Sequence, residues 1–487
     1  MRRGWVNLVG GLLLTVGGLF AARDVGMQVA GVFDGADGQL TWSALIAGLF
    51  IAGTICWWLL VGRSQQPTVL RGAIAGALTG ILAYPVVIAI AAIFQRAPPG
   101  TGFVERLLVI LEVSAFALAT TGFAAIFVMA IAGAICALIM RRLYPPLREA
   151  SSSNIRLLRA LGVGLGALAL VLLAFFVWLT LLPLDRGTLA DARTTGSAMS
   201  HDQAVAAYEQ VRAAEGTQPL HARCESKLFT HGSKVAEAIV FLHGVTNCPA
   251  QADELAPMLF ELGYNVYVPR LPGHGEADQM TFALVPLKAE DYVATTEQAI
   301  EIGRGLGDQV IVMGLSAGGA LTMWGGQNRA DLQHTIAMAP FLGPNVVPTW
   351  ANRAATNLLL LLPNMMLTWN PLEPLGPPDM YYAYPRVPTR ALAQFMRIGE
   401  VVADSARTTP PEALGLGVML NEADFAVNNA LARNIVERWR SHGRGVDLKV
   451  LPVSMRLLHD LIDPRQVDAN TELVHKLLLE MLETRPR

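Results

Sequence analysis

The stretch "VIVMGLSAGGALTMWGG", Val310 to Gly326, sets a short β-branched apolar run against a glycine-flanked serine and then a run of small, helix-forming residues. Val310, Ile311, Val312 and Met313 have the unbroken apolar character of a strand buried on both faces, and Ala317 to Trp324 continue at helical spacing. The joint between them is Gly314-Leu315-Ser316-Ala317-Gly318. A strand-to-helix turn this tight needs little bulk two residues before and two after the serine, so that Ser316 can hold a strained backbone position with its hydroxyl exposed. G-x-S-x-G also recurs by chance in glycine-rich chains, so its meaning depends on its surroundings.

Outward from Ser316, the pattern repeats. Short β-rich runs lie at 236–243, 264–269, 309–314, 334–339, 414–420 and 446–452, and helix-like segments at 250–262, 290–304, 317–328 and 426–441 separate most of them. Strands alternating with helices predict parallel βαβ units and a sheet covered on both faces. In such sheets sites form beyond the carboxyl ends of the strands. The unusual residues fall there: "LHGVTNCP" after the first run, "PRLPGHGEA" after the second, Ser316 after the third, "NEADFAVNN" after the fifth and "SMRLLHDLIDP" after the sixth.

In that order, "FLHGVTNCP", "PRLPGHG", "GLSAGG", "NEADFAVNN" and "LLHDLIDP" resemble the α/β-hydrolase family, and more narrowly its monoacylglycerol lipase and carboxylesterase relatives. The resemblance covers residues 224–487. A serine hydroxyl is a weak nucleophile at neutral pH and needs a neighbouring imidazole to take its proton. The chain order serine, acid, histidine typical of this fold selects His459 as that base. His243 belongs to the oxyanion-loop turn with Gly244, His274 sits in a glycine-rich loop, His334 begins a strand and His475 lies on the last helix. The imidazolium that forms needs a carboxylate, for which Asp424 fits, with Glu422 as its rival in the same loop and Asp460 and Asp463 shaping the turn beside His459. The backbone N–H of Ala317 is one expected oxyanion donor, and the resemblance implies Val245 as the other.

About seventy residues, 341–412, separate the fourth and fifth runs, too many for a simple connection. Their Leu, Met, Pro and aromatic content predicts a cap lining an apolar acyl pocket. No cofactor or metal is called for by this chemistry. Cys224 and Cys248 are the only cysteines in this part of the chain, and an external location would permit a disulfide between them.

The first 182 residues contain no Lys and no His, so proton-transfer chemistry belongs to the remainder. Apolar stretches near 5–22, 43–62, 73–94, 114–140 and 160–182 approach the ~20 residues of a spanning helix and predict about five transmembrane helices. Arginine bias in the loops, strongest after the fourth stretch (Arg141, Arg142, Arg148, Arg156, Arg159), would keep the N-terminus inside and set the residues after 183 outside. Gly72, Gly76 and Gly80, four apart, predict close helix packing. A net charge of -2 without a basic, aromatic run argues against a nucleic-acid partner.

The sequence thus predicts an α-helical membrane bundle at 1–182, a stem at 183–222 and an α/β-hydrolase domain at 223–487 with a mostly parallel sheet and a cap. The implied activity is that of an integral, multi-pass serine hydrolase of a bacterial-type inner or plasma membrane, cleaving apolar acyl esters on the outer side. Acyl transfer, thioester or peptide cleavage by the same triad, or a non-catalytic sensing module, are the alternatives.

Overall fold

The computed structural model describes residues 12–15, 38–62, 68–94, 123–143, 170–190, 198–368, 382–466 and 469–484. The chain divides into two compact units, Met1–Trp178 and Leu179–Arg487.

The first unit contains α1 (Gly38–Trp57), α2 (Val69–Phe94) and α3 (Phe123–Leu143). Glycine sets how closely α2 and α3 approach. A Cβ added at Gly72 would lie 2.1 Å from the Gly133 carbonyl oxygen, and one at Gly76 would lie 1.8 Å from that of Met129. Small residues therefore let the two backbones touch. Cys56, Trp57, Ala75, Met129 and Cys136 are buried together, while Ile51, Leu82, Ile135 and Leu138 remain exposed.

The prediction of a membrane bundle is corrected here. Among the described residues no helix is long and apolar enough to cross a membrane. The multi-pass placement, the bilayer as a partner and the external location derived from it lose their support, because the arginine bias then has no spans to orient. The length of an apolar stretch does not fix how much hydrocarbon surface it presents, and these helices are rich in Ala and Gly, which add little of it. An all-round apolar helix is as compatible with helix-to-helix burial as with lipid. Arg71, Arg141 and Arg142 also lie within the helical bounds of α2 and α3. The described helix at 170–181 gives about 18 Å at the usual rise per residue. Of the first stretch only residues 12–15 are described, and most of the charged loop residues lie outside the described residues.

The second unit is built on a seven-stranded sheet in the order β1-β3-β2-β4-β5-β8-β9. Its strands are β1 (Lys227–Phe229), β2 (Val235–Leu242), β3 (Asn265–Val268), β4 (Gly307–Leu315), β5 (Leu332–Met338), β8 (Gly415–Asn421) and β9 (Asp447–Leu451). Every pairing is parallel except the edge pair β1 and β3. The central strands are apolar on both faces because helices cover both sides: Ile239, Val240, Ile311, Val312, Ile336 and Val418 are all inaccessible. The register runs Leu242 to Gly314 to Ala337 to Val418 to Leu448, so the carboxyl ends of these strands finish in one row. That row carries the loops of the site.

Two crossover helices matter most for the site: α4 (Ala289–Leu306), ahead of β4, and α5 (Ala317–Asn328), behind it. The long insertion between β5 and β8 holds α6 (Asn352–Leu361), a small hairpin of β6 (Met366–Thr368) and β7 (Arg386–Pro388), and α7 (Thr389–Ser405). Residues 369–381 lie outside the described residues. Leu392, Phe395, Met396 and Val402 give α7 an apolar stripe buried in the main core.

Candidate active site

Ser316 stands between β4 and α5 with φ 58° and ψ -114°. Few non-glycine residues hold a positive φ, and here three of the four described ones are Thr246, Ser316 and Ala339. Thr246 lies in the loop after β2 and Ala339 directly follows β5, so strain gathers along the strand-end row. Backbone bonds hold the turn: the Ser316 N–H donates to Met338 O at 2.9 Å, and its carbonyl accepts from Ala320 and Phe341, both at 2.9 Å.

The flanking glycines are steric requirements. A Cβ at Gly314 would meet the Gly318 carbonyl oxygen at 2.4 Å, and one at Gly318 would meet Leu242 O at 1.9 Å and His243 O at 2.8 Å. Those obstacles are backbone and cannot rotate away. Gly318→Ala is therefore expected to destabilise the domain by about 3 kcal/mol or more, read as a lower urea midpoint for this unit. An unchanged midpoint would mean that the turn relaxes freely.

The loop after β2 lies against the serine. A Cβ on Gly244 would stand 3.4 Å from the Ser316 Cβ. His243 is fully buried and locked: its Nε2 accepts from the Leu271 N–H at 3.0 Å and its Nδ1 donates to Gly244 O at 2.9 Å. Burial, with the neighbouring His274 and Arg270, holds it well below the usual histidine value, so it stays neutral and props the loop. Among the described residues the N–H groups of Val245 and Ala317 have no acceptor, which suits them to a developing oxyanion. A disulfide joins Cys224 to Cys248 and ties the far side of this loop to the segment before β1.

His459 and Asp424 meet directly, with Nδ1 to Oδ2 at 2.6 Å. The Asp424 side chain is fully buried; its other oxygen accepts from the N–H groups of Ala426 at 2.8 Å and Val427 at 3.2 Å. Burial alone would lower the His459 pKa, but the charge and hydrogen bond of Asp424, with a contribution from Asp460, raise it above the usual value. Among the described residues no hydrogen bond joins the Ser316 hydroxyl to His459, and such bonds often tighten only with substrate. Glu422 is paired with Arg433 at the surface, away from this contact.

The sequence reading left out the groups that hold these loops together. Asn421, at the end of β8, donates from Nδ2 to Leu457 O at 2.8 Å and Leu458 O at 3.0 Å, which fixes the approach to His459. Gln251 and Asn247 both donate to Asp460, at 2.7 and 3.1 Å. His274 is buried beside His243, and His475 is largely buried on the last helix. Among the described residues no group of three or more His, Cys, Asp or Glu could hold a metal ion.

A parallel sheet with a strained serine turn, an adjacent glycine loop and a buried carboxylate-histidine pair at its carboxyl edge defines an α/β-hydrolase domain. Residues 239–460 match the model of the Alpha/beta hydrolase family. The chain is 31% identical over 98 residues to the thermostable monoacylglycerol lipase of Bacillus sp. strain H-257, covering 19% of this chain and 36% of that protein. It is 30% identical over 132 residues to the pyrethroid hydrolase of Sphingobium wenxiniae, covering 26% and 45%. The chain thus spans between about a third and a half of the length of these curated relatives. Among solved structures, the monoacylglycerol lipase of Paleococcus ferrophilus aligns at 16% identity and a TM-score of 0.40, covering 53% of this chain and 97% of that one. A metagenome-derived lipolytic enzyme aligns at 21% identity and a TM-score of 0.42, covering 55% and 100%.

Proposed function

We propose that the second unit is a serine hydrolase that cleaves carboxylic esters with an apolar acyl group through an acyl-serine intermediate. The observation that carries this reading is the pairing of buried Asp424 with His459 at 2.6 Å on the sheet edge that also presents the strained Ser316. In the first half, the Ser316 hydroxyl oxygen attacks the ester carbonyl while His459 Nε2 takes its proton. Asp424 holds Nδ1–H and stabilises the imidazolium, and the N–H groups of Val245 and Ala317 receive the negative oxygen. His459 then gives the proton to the departing alkoxide, leaving acyl-Ser316 and free alcohol. In the second half, water adds to the acyl carbon as His459 takes its proton, the bond from that carbon to the serine oxygen then breaks, and His459 returns the proton to Ser316 as the carboxylic acid leaves. The apolar character of the insertion, where Trp350, Leu361 and Met365 remain exposed, supports an apolar acyl group.

A panel of p-nitrophenyl esters of graded chain length tests this, coupled to mass analysis of the peptide containing Ser316 after a brief reaction. Ester cleavage with an acyl adduct on Ser316 is the expected result; cleavage with the adduct elsewhere would overturn the assignment. Transfer of the acyl group to an added alcohol or amine in preference to water would redirect it to acyl transfer.

The base must be neutral to accept a proton. Because Asp424 raises the His459 pKa, kcat/KM is expected to fall with decreasing pH through a midpoint above about 6.5. Asp424→Asn removes the raising influence and leaves burial, so in its residual activity the midpoint should move below that of the parent. A pH–rate profile for both proteins checks the sign.

A further inference from the structure

The loop after β2 and the loop of His459 are joined by a chain of polar contacts that the hydrolytic steps do not use. The Gly244 N–H donates to Gln251 Oε1 at 2.8 Å, and Gln251 Nε2 donates to Asp460 Oδ2 at 2.7 Å. Asn247 Nδ2 reaches the same Oδ2 at 3.1 Å. The other Asp460 oxygen accepts from the Ile462 and Asp463 N–H groups, both at 3.3 Å. All four donors are neutral. Each end of the chain lies one residue from the chemistry: Gly244 precedes Val245, and Asp460 follows His459.

We propose that Gln251 and Asp460 form a brace that sets the oxyanion loop against the histidine loop, making both of them positioning residues for the reaction at Ser316. The inference rests on the reading of Ser316 as the nucleophile. A turn beside His459 needs only an acceptor for the two backbone N–H groups, which asparagine also supplies. A buried carboxylate whose hydrogen-bond donors are all neutral is a costlier choice, since burial, reinforced by Asp463, lifts the Asp460 carboxyl to about 6. What the carboxylate adds is a second oxygen able to accept from Gln251 and Asn247 together. Gln251 is buried, and a Cβ on Gly244 would have Gln251 Nε2 at 3.6 Å and Ser316 Cβ at 3.4 Å, so a displaced Gln251 would carry the loop with it. A loop shift of under ~1 Å is enough to misplace an oxyanion donor.

The test uses the full chain and a p-nitrophenyl ester, with Gln251→Glu, Asp460→Asn and the pair combined, each checked for folding by circular dichroism. The first change faces two carboxylates across the contact, and the second removes the charge that accepts both amides. Combined, they restore one carboxylate and one amide with reversed polarity. Each single change is expected to lower kcat by about 10- to 100-fold, less than or comparable to loss of one donor, with KM within about twofold. The combination should recover at least tenfold of the kcat lost by the worse single variant. Single variants within twofold of the parent would overturn the brace, as would a folded double variant no faster than the worse single one. If a single variant does not fold, a double variant that regains its fold without regaining kcat also overturns it. Fluorophosphonate labelling separates the two readings. A parent protein that labels elsewhere than at Ser316 removes the nucleophile assignment and the brace together, whereas labelling at Ser316 with indifferent brace variants removes the brace alone.

Discussion

Ser316→Ala is expected to abolish covalent labelling by a fluorophosphonate and to lower kcat by about a million-fold, the scale seen when a triad nucleophile is removed. The side chain loses only its oxygen. Ser316 already carries a Cβ at its positive φ, so alanine meets the same backbone strain and no new atom enters the turn. The backbone bonds to Met338, Ala320 and Phe341 do not involve the hydroxyl, so the urea midpoint should stay within experimental spread. Activity and stability therefore separate in this variant. A residue kept for packing would show the reverse, lost stability with retained turnover. Labelling that persists at full strength in the folded variant would remove Ser316 from the chemistry. Residual turnover from substrate binding and the two backbone donors is compatible with the assignment, provided that no acyl adduct forms on the 316 peptide.

Much of the hydrolase fold can be read from the chain because its central strands are buried on both faces. Continuous apolar runs such as Ala238 to Leu242 and Val310 to Met313 are unambiguous when turn residues bound them. β1 escaped notice since three residues, Lys227 to Phe229, pair at an edge through their backbone and show no pattern of their own. The spacing of Leu392, Phe395, Met396 and Val402 is helical and readable, but within a segment taken as a cap it does not reveal that the stripe faces the main core. The loops bearing Ser316, Asp424 and His459 are visible as polar breaks after apolar runs. The Gln251 to Asp460 contact joins residues 209 positions apart, and nothing local to either marks it. The N-terminal half shows the opposite failure. There the apolar stretches near 5–22, 43–62, 73–94, 114–140 and 160–182 predict membrane spans that no described helix is long and apolar enough to make.

Asp424→Asn is expected to lower kcat by about 10⁴-fold while leaving KM nearly unchanged, because the amide keeps the shape but loses the charge that the imidazolium needs. At the parent residue, one oxygen accepts from His459 and the other from Ala426 and Val427. An amide can satisfy either side, not both. If its oxygen stays with the two N–H groups, its NH₂ faces Nδ1 and forces the tautomer that carries hydrogen on Nε2, where the ring can no longer accept the serine proton. Glu422→Gln is the control from the same loop. Glu422 pairs with Arg433 at the surface, and exposed pairs contribute about 1 kcal/mol or less, so turnover should stay within about threefold. Steady-state kinetics of the two variants on one ester decide between the acids. Loss at 422 with retention at 424 would move the acid role although the fold is untouched. Retention in both would leave His459 without an orienting carboxylate, since Asp460 already spends its oxygens on Gln251, Asn247 and its own turn.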